Sequence, residues 1–202
     1  MKETKIQFST AEMDLMRNKE IILTKNKILQ KIKASLEELQ EEMISSTETF
    51  LKLLPDEIFS IQPKISKGEN YLGLPYLILD FPRCFQQENI FAVRTMFWWG
   101  NFFSTTLHLS GRAKITRQMK IADAFAVFAK DNYYIGINTN PWVHHFEKDN
   151  YKNVRSLKEE EFRQLCKNSQ HLKVAKKISL NDPALLKTLL ESWKQLIKNC
   201  YD

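Results

Sequence analysis

Residues 94–111 read RTMFWWGNFFSTTLHLSG, two runs of aromatic and β-branched residues joined by Gly100-Asn101. No other stretch limits the fold as tightly. Aromatic, Val, Ile and Thr side chains suit a pleated surface. A glycine-first pair between two such runs suits a two-residue hairpin turn. The pattern predicts an antiparallel pair, Ile90–Trp99 with Phe102–Leu109. In that register Trp99 faces Phe102, Phe97 faces Ser104, Thr95 faces Thr106 and Val93 faces His108. These residues share one face, because side chains alternate along each strand. The opposite face carries Ala92, Arg94, Met96, Trp98, Phe103, Thr105, Leu107 and Leu109. It is the more continuously apolar, so it is assigned to the core. A slip of one residue would exchange the two sets.

Three further strand patterns, Leu74–Phe81, 133–139 and His171–Leu180, flank the hairpin, and residues 56–73 read as a loop leading into the first. Helical patterns occupy 10–16, Asn18 to Leu54 (stopped by Pro55), 113–130, a segment after Ser156 and a segment after Pro183. Ser156-Leu157-Lys158-Glu159 matches a capping box. Asp182 and Pro183 fit the cap and first position of the last helix. The fold class is therefore α+β. A mixed or antiparallel sheet of about five strands is expected, with a long N-terminal helix and a C-terminal helix packed on it. With 202 residues, 43% of them hydrophobic, one domain spanning residues 1–202 can build a core without disulfides or metals.

In the long helix, Leu29, Ile32, Leu36, Leu39 and Met43 are spaced 3, 4, 3 and 4 apart, the signature of one helical face. A helix of that length would run about 50 Å, longer than a small domain is wide. The segment 10–54 is therefore expected to protrude, to break, or to pair with a second copy in a homodimer.

The signals for chemistry are mostly negative. No G-x-G-x-x-G occurs. Gly68 and Gly73 have phosphate-loop spacing, but Leu74 and Pro75 stand where the lysine and hydroxyl belong. No nucleophile elbow, H-E-x-x-H or C-x-x-C is present. His144-His145 with Glu147 invites a metal reading, but neighbours on a strand point to opposite faces. Cys84 beside Arg83 lacks an evident base. No catalytic residue, metal or cofactor is assigned. No apolar stretch is long enough for a signal peptide or a membrane span. Three widely spaced cysteines fit a reducing cytoplasm. The net charge of +6 comes from scattered lysines, so nucleic acid is not the expected partner.

What stands out is the hairpin face carrying Thr95, Trp99, Ser104, Thr106 and His108. Aromatic walls with hydroxyls and an imidazole suit a ligand groove, and Arg83 could meet an anionic group there; the alternative is that a helix covers the aromatics while the polar groups bond to the backbone or water. Arg94, on the face assigned to the core, needs a carboxylate, and Asp80 is the natural partner. The stretch GENYLGLPYLILDFPR, followed by RTMFWWGNFFSTTLHLSG, resembles an uncharacterised bacterial protein family. The resemblance covers about residues 68–111 and implies no activity. The preferred reading is a binding or interaction module for a small molecule or protein. The alternatives are a small-molecule enzyme using His108 as general base and, third, a nucleic-acid binder.

Overall fold

The computed structural model describes residues 6–50 and 58–201. Two helices, α1 (Thr10–Arg17) and α2 (Lys19–Phe50), precede β1 (Lys64–Tyr71), β2 (Leu74–Gln86), β3 (Asn89–Trp98) and β4 (Phe102–Ser110). Then come α3 (Gly111–Asp123), α4 (Phe125–Lys130), β5 (Tyr134–Gly136), β6 (Tyr151–Asn153), α5 (Glu159–Asn168), β7 (His171–Ile178) and α6 (Leu185–Lys198). The class is α+β as expected, but the sheet has seven strands in the order β1-β2-β3-β4-β7-β5-β6, and every pairing is antiparallel. The two extra strands are β1, from the segment read as a loop, and the three-residue β6. β1 is a polar edge strand and β6 is very short, so neither carries an apolar alternation that periodicity could detect.

One face of the sheet is the main core. Leu79, Phe81, Phe91, Val93, Phe97, Phe103, Leu107, Leu109, Leu172, Val174 and Ile178 meet Leu36, Leu39 and Met43 of α2, Ile121 of α3, Phe162 of α5 and Leu189, Trp193 and Leu196 of α6. Trp193 is fully buried, stacks on Phe81 at 6.0 Å between ring centroids, and donates its Nε1–H to the Phe81 carbonyl. The anticipated stop at Leu54-Pro55 lies outside the described residues.

Helix starts depart from expectation in instructive ways. Ser156 does not cap α5. It falls in a 3-10 turn, Val154–Ser156, and donates its hydroxyl to the Asn153 carbonyl. α5 begins after Lys158 with no side-chain cap. Asp182 accepts from the Ala184 amide, holding a turn just ahead of α6 rather than capping the helix itself. The pattern at 113–130 divides at Ala124 into α3 and α4. A capping box does form at Ser9 and Glu12, at the start of α1.

The hairpin register differs by one residue from the expected one. Trp98 pairs with Phe102, Phe97 with Phe103, Thr95 with Thr105, Arg94 with Thr106 and Ala92 with His108. The connection has three residues, Trp99-Gly100-Asn101, closed by the Asn101 amide on the Trp98 carbonyl. Hydrophobic segregation explains the shift. This register puts Phe91, Val93, Phe97, Phe103, Leu107 and Leu109 together under the helices, where the two-residue turn would have mixed Phe97 with Ser104 and Val93 with His108.

Candidate functional site

The shift reassembles the candidate site. Ser104, Thr106 and His108 do share a face, but with Ala92, Arg94, Met96 and Trp98 rather than with Thr95 and Trp99. Thr95 is on the core face, paired with Thr105 and buried. Trp99 sits in the turn with its ring edge-on to Phe97. Arg83 pairs with Ala92 beside the site and is half-buried, and the guanidinium lining the site is that of Arg94. Of the two readings of this face, open groove or covered, the covered one holds, though the cover is the segment 137–150 and not a helix.

That covering segment is held at several points. The Tyr71 hydroxyl accepts from the backbone amides of His144 and His145 at 2.6 and 3.1 Å. Asn150 Nδ2 donates to the carbonyls of Val143 and His145. Phe146 is set among Phe102, Tyr134 and Tyr151, with centroids 5.0, 5.0 and 4.6 Å away. A second small core, Ile78, Met96, Trp98 and Phe102, with Tyr71, Tyr76 and Phe146 against it, fills the space at the turn end.

At the other end the seat is polar. Arg94 and Asp80 are cross-strand neighbours and form the expected pair, in a two-pronged geometry: Nε to Oδ1 at 2.8 Å and Nη2 to Oδ2 at 2.9 Å. The third guanidinium nitrogen, Nη1, lies 3.2 Å from His144 Nε2. Arginine only donates, so this imidazole nitrogen accepts and the ring is neutral. Burial first, then the charges of Arg94 and Lys173, hold His144 well below the usual histidine range.

Lys173, opposite His108 on β7, is buried and donates to the Val143 carbonyl, with its ammonium 5.0 Å from the Tyr151 ring. Burial, reinforced by Arg94, brings its pKa down to about 7. Gly136 makes room for it, since a Cβ there would lie 3.0 Å from the Lys173 Cβ. His108 is 6% exposed, and its Nε2 has no hydrogen-bond partner. Its ring meets Trp142 and His171 edge-on at 5.5 and 5.8 Å. Burial, then Lys173, His171 and Arg94, depress its pKa to about 3. Between these groups lies a crevice lined by Phe85, Ala92, Arg94, Thr106, His108, Pro141, His144 and Lys173. Its free volume is about 10 Å³, room for one water-sized occupant.

His144 and His145 diverge: the first faces Arg94, the second lies 3.9 Å from Asp149. A larger cleft, about 650 Å³, opens beside the seat between residues 136–139 and 161–171, with His171 on its wall. Neither His108 nor Trp99 lines it.

Sequence reasoning missed Lys173, Tyr151 and the role of His144. The one legible signal was the phase of HLKVAKKI, where His171, Lys173, Ala175 and Lys177 alternate against Leu172, Val174 and Ile178. In comparisons with protein-family models, curated proteins and solved structures, nothing matches this chain.

Proposed function

We propose that this chain is a binding module, and that the polar seat under residues 137–150 takes a small anion. One observation carries the reading: Arg94, paired with Asp80, and the buried Lys173, which has no carboxylate partner among the described residues, line one crevice with a buried His108 Nε2 that has no partner. The unpartnered His108 Nε2, buried beside two basic side chains, calls for a hydrogen-bonding occupant, because an unpartnered buried polar group is costly. The free volume is that of one water, so a halide enters only with a small shift of the lining, and a formate or nitrate needs a larger one. Thr106 adds a hydroxyl to the crevice wall and hydrogen-bonds to Tyr151.

The general-base alternative for His108 is less well supported. Among the described residues no carboxylate orients the ring, and a base with so low a pKa takes up a proton poorly near neutrality. A nucleic-acid platform on the hairpin would need exposed rings, yet Phe97, Trp98, Phe102 and Phe103 are all buried. Among the described residues no helix is long and apolar enough to cross a membrane. None of Cys84, Cys166 and Cys200 forms a disulfide, which accords with the cytoplasm as the working compartment.

Thermal melts at constant ionic strength, exchanging chloride, bromide, formate, nitrate and sulfate, test the reading. The small monoanions should raise the melting temperature and sulfate should not. His108→Ala and Thr106→Val should stay folded and lose that rise. Melts indifferent to the anion would sink the proposal, and so would unfolding of both variants, which would make this face plain interior.

A further inference from the structure

We infer that the N-terminal helical arm is a self-association surface, on which a second copy of this chain docks its own arm in antiparallel orientation. This inference is independent of the anion seat. α1 has no buried residue, and the first buried position of α2 is Leu29. The chain ahead of that point nevertheless carries apolar side chains. Leu15 is 60% exposed, Met16 57%, Ile21 44%, Ile22 58% and Ile28 38%, and Ile6 and Phe8 are exposed before them.

This is a continued stripe. Ile22 stands one heptad ahead of Leu29, and Leu36 and Met43 follow at the same spacing. Those three are buried under the molecule's own core. Ile22 has the same phase on the helix, beyond the end of the core, and Ile21 and Ile28 flank it. The arm is fastened at its base by Lys25 to Glu69 of β1, at 2.6 Å.

Two physical arguments select a second copy. The first is size. The seven side chains together offer on the order of 600 Å² of apolar surface per copy, above the roughly 500 Å² per partner that a specific interface needs. An eight-residue helix is also marginal in water on its own, so α1 gains order from a partner. The second is charge order. Glu12 and Asp14 lie toward the tip, while Arg17, Lys19, Lys25 and Lys27 outweigh Glu20 toward the base. Laid antiparallel about a two-fold axis, the acidic tip of each arm meets the basic base of the other. Laid parallel, like charges would face each other. A two-fold contact is self-complementary and closes at two copies. Asn18, whose side chain accepts from the Glu20 amide, sets the bend between α1 and α2 near the middle of the seam.

Sedimentation equilibrium on the full chain, from low to high micromolar concentration, tests the inference. The wild type should be a dimer. Ile22→Glu and Met16→Glu should each weaken association by at least about tenfold, with no change in circular dichroism or in urea midpoint under dilute conditions. Asp14 and Lys27 lie in different helices on either side of Asn18 and form no ion pair within a copy among the described residues. Lys27→Glu should therefore weaken the dimer, and Lys27→Glu with Asp14→Lys should restore it. A wild-type monomer at high micromolar concentration overturns the inference. So does a dimer that persists in both arm variants, or an arm that binds anionic vesicles as a monomer. A double charge swap that fails to rescue overturns the antiparallel orientation.

Discussion

Single residues on the covered face obey strict electrostatic limits. Asp80 and Arg94 sit next to each other on β2 and β3, largely shielded from water. Removing one partner strands the other, so Arg94→Ala should cost about 3–5 kcal/mol in urea melts. A cost under about 0.5 kcal/mol would mean the pair is effectively solvated. The histidines predict an acid response. Unfolded, His108 titrates near 6.5; folded, burial and then Lys173, His171 and Arg94 hold it down to about 3. The unfolded chain therefore takes up a proton that the folded chain refuses. Stability falls as pH drops from about 6.5 toward 3 and is insensitive to this group above that window. His144 shifts in the same direction, so the two add. The measurement is the difference between wild type and His108→Gln, since carboxylates titrate in the same range. Between about pH 6 and pH 4 the variant should lose stability less steeply, by a few kcal/mol in total. Parallel curves would show that the ring is hydrated in the folded state.

Elements are set by their turns and by what covers them. Gly111 opens α3 at φ +54, and a Cβ there would come 1.8 Å from the Glu88 carbonyl oxygen. Gly73, at φ +82 between β1 and β2, has open space around it. Gly111→Ala should therefore destabilise by more than about 3 kcal/mol, and Gly73→Ala by only about 1–2 from backbone strain. Equal costs in chemical denaturation would mean that the clash at Gly111 relaxes freely. The 137–150 segment behaves as a cover because Tyr71, at the end of β1, fastens it through one hydroxyl. Tyr71→Phe should speed hydrogen exchange at the His144 and His145 amides while the β3–β4 amides stay protected. Unchanged exchange would show that Phe146 and Lys173 hold the cover without Tyr71.

At the scale of the molecule, stability is concentrated where the helices meet the sheet and is absent from the arm. Trp193 links α6 to β2 by stacking on Phe81 and by the bond to its carbonyl. Trp193→Ala should cost about 3–5 kcal/mol. Leu15→Ala, in dilute solution where copies are apart, should stay within about 0.5 kcal/mol. Comparable losses from the two would mean that the arm belongs to the monomer core. The heptad pattern in α2 therefore does two jobs. Its middle, Leu29 to Met43, is consumed by the monomer's own sheet, so Leu36 is a core position and not a dimer contact. Among the described residues of that stripe, the continuation at Ile22 is left outside.

The sequence by itself determined the class of fold, the α2 stripe, the hairpin and the Asp80–Arg94 pair. All of these depend on local periodicity or on a buried charge that must find its opposite within a short reach. It also singled out Ser104, Thr106 and His108 as one polar face, since they lie two apart on one strand. The tertiary structure alone decided which residues of β3 join them. That choice belongs to the register, and the register depends on how many apolar side chains reach the helices at once, which no turn dipeptide encodes. It also decided that the face is closed. The cover comes from residues 137–150 and the ammonium from Lys173, on segments distant in the chain. Their meeting follows from strand order, which places β7 and β5 beyond β4.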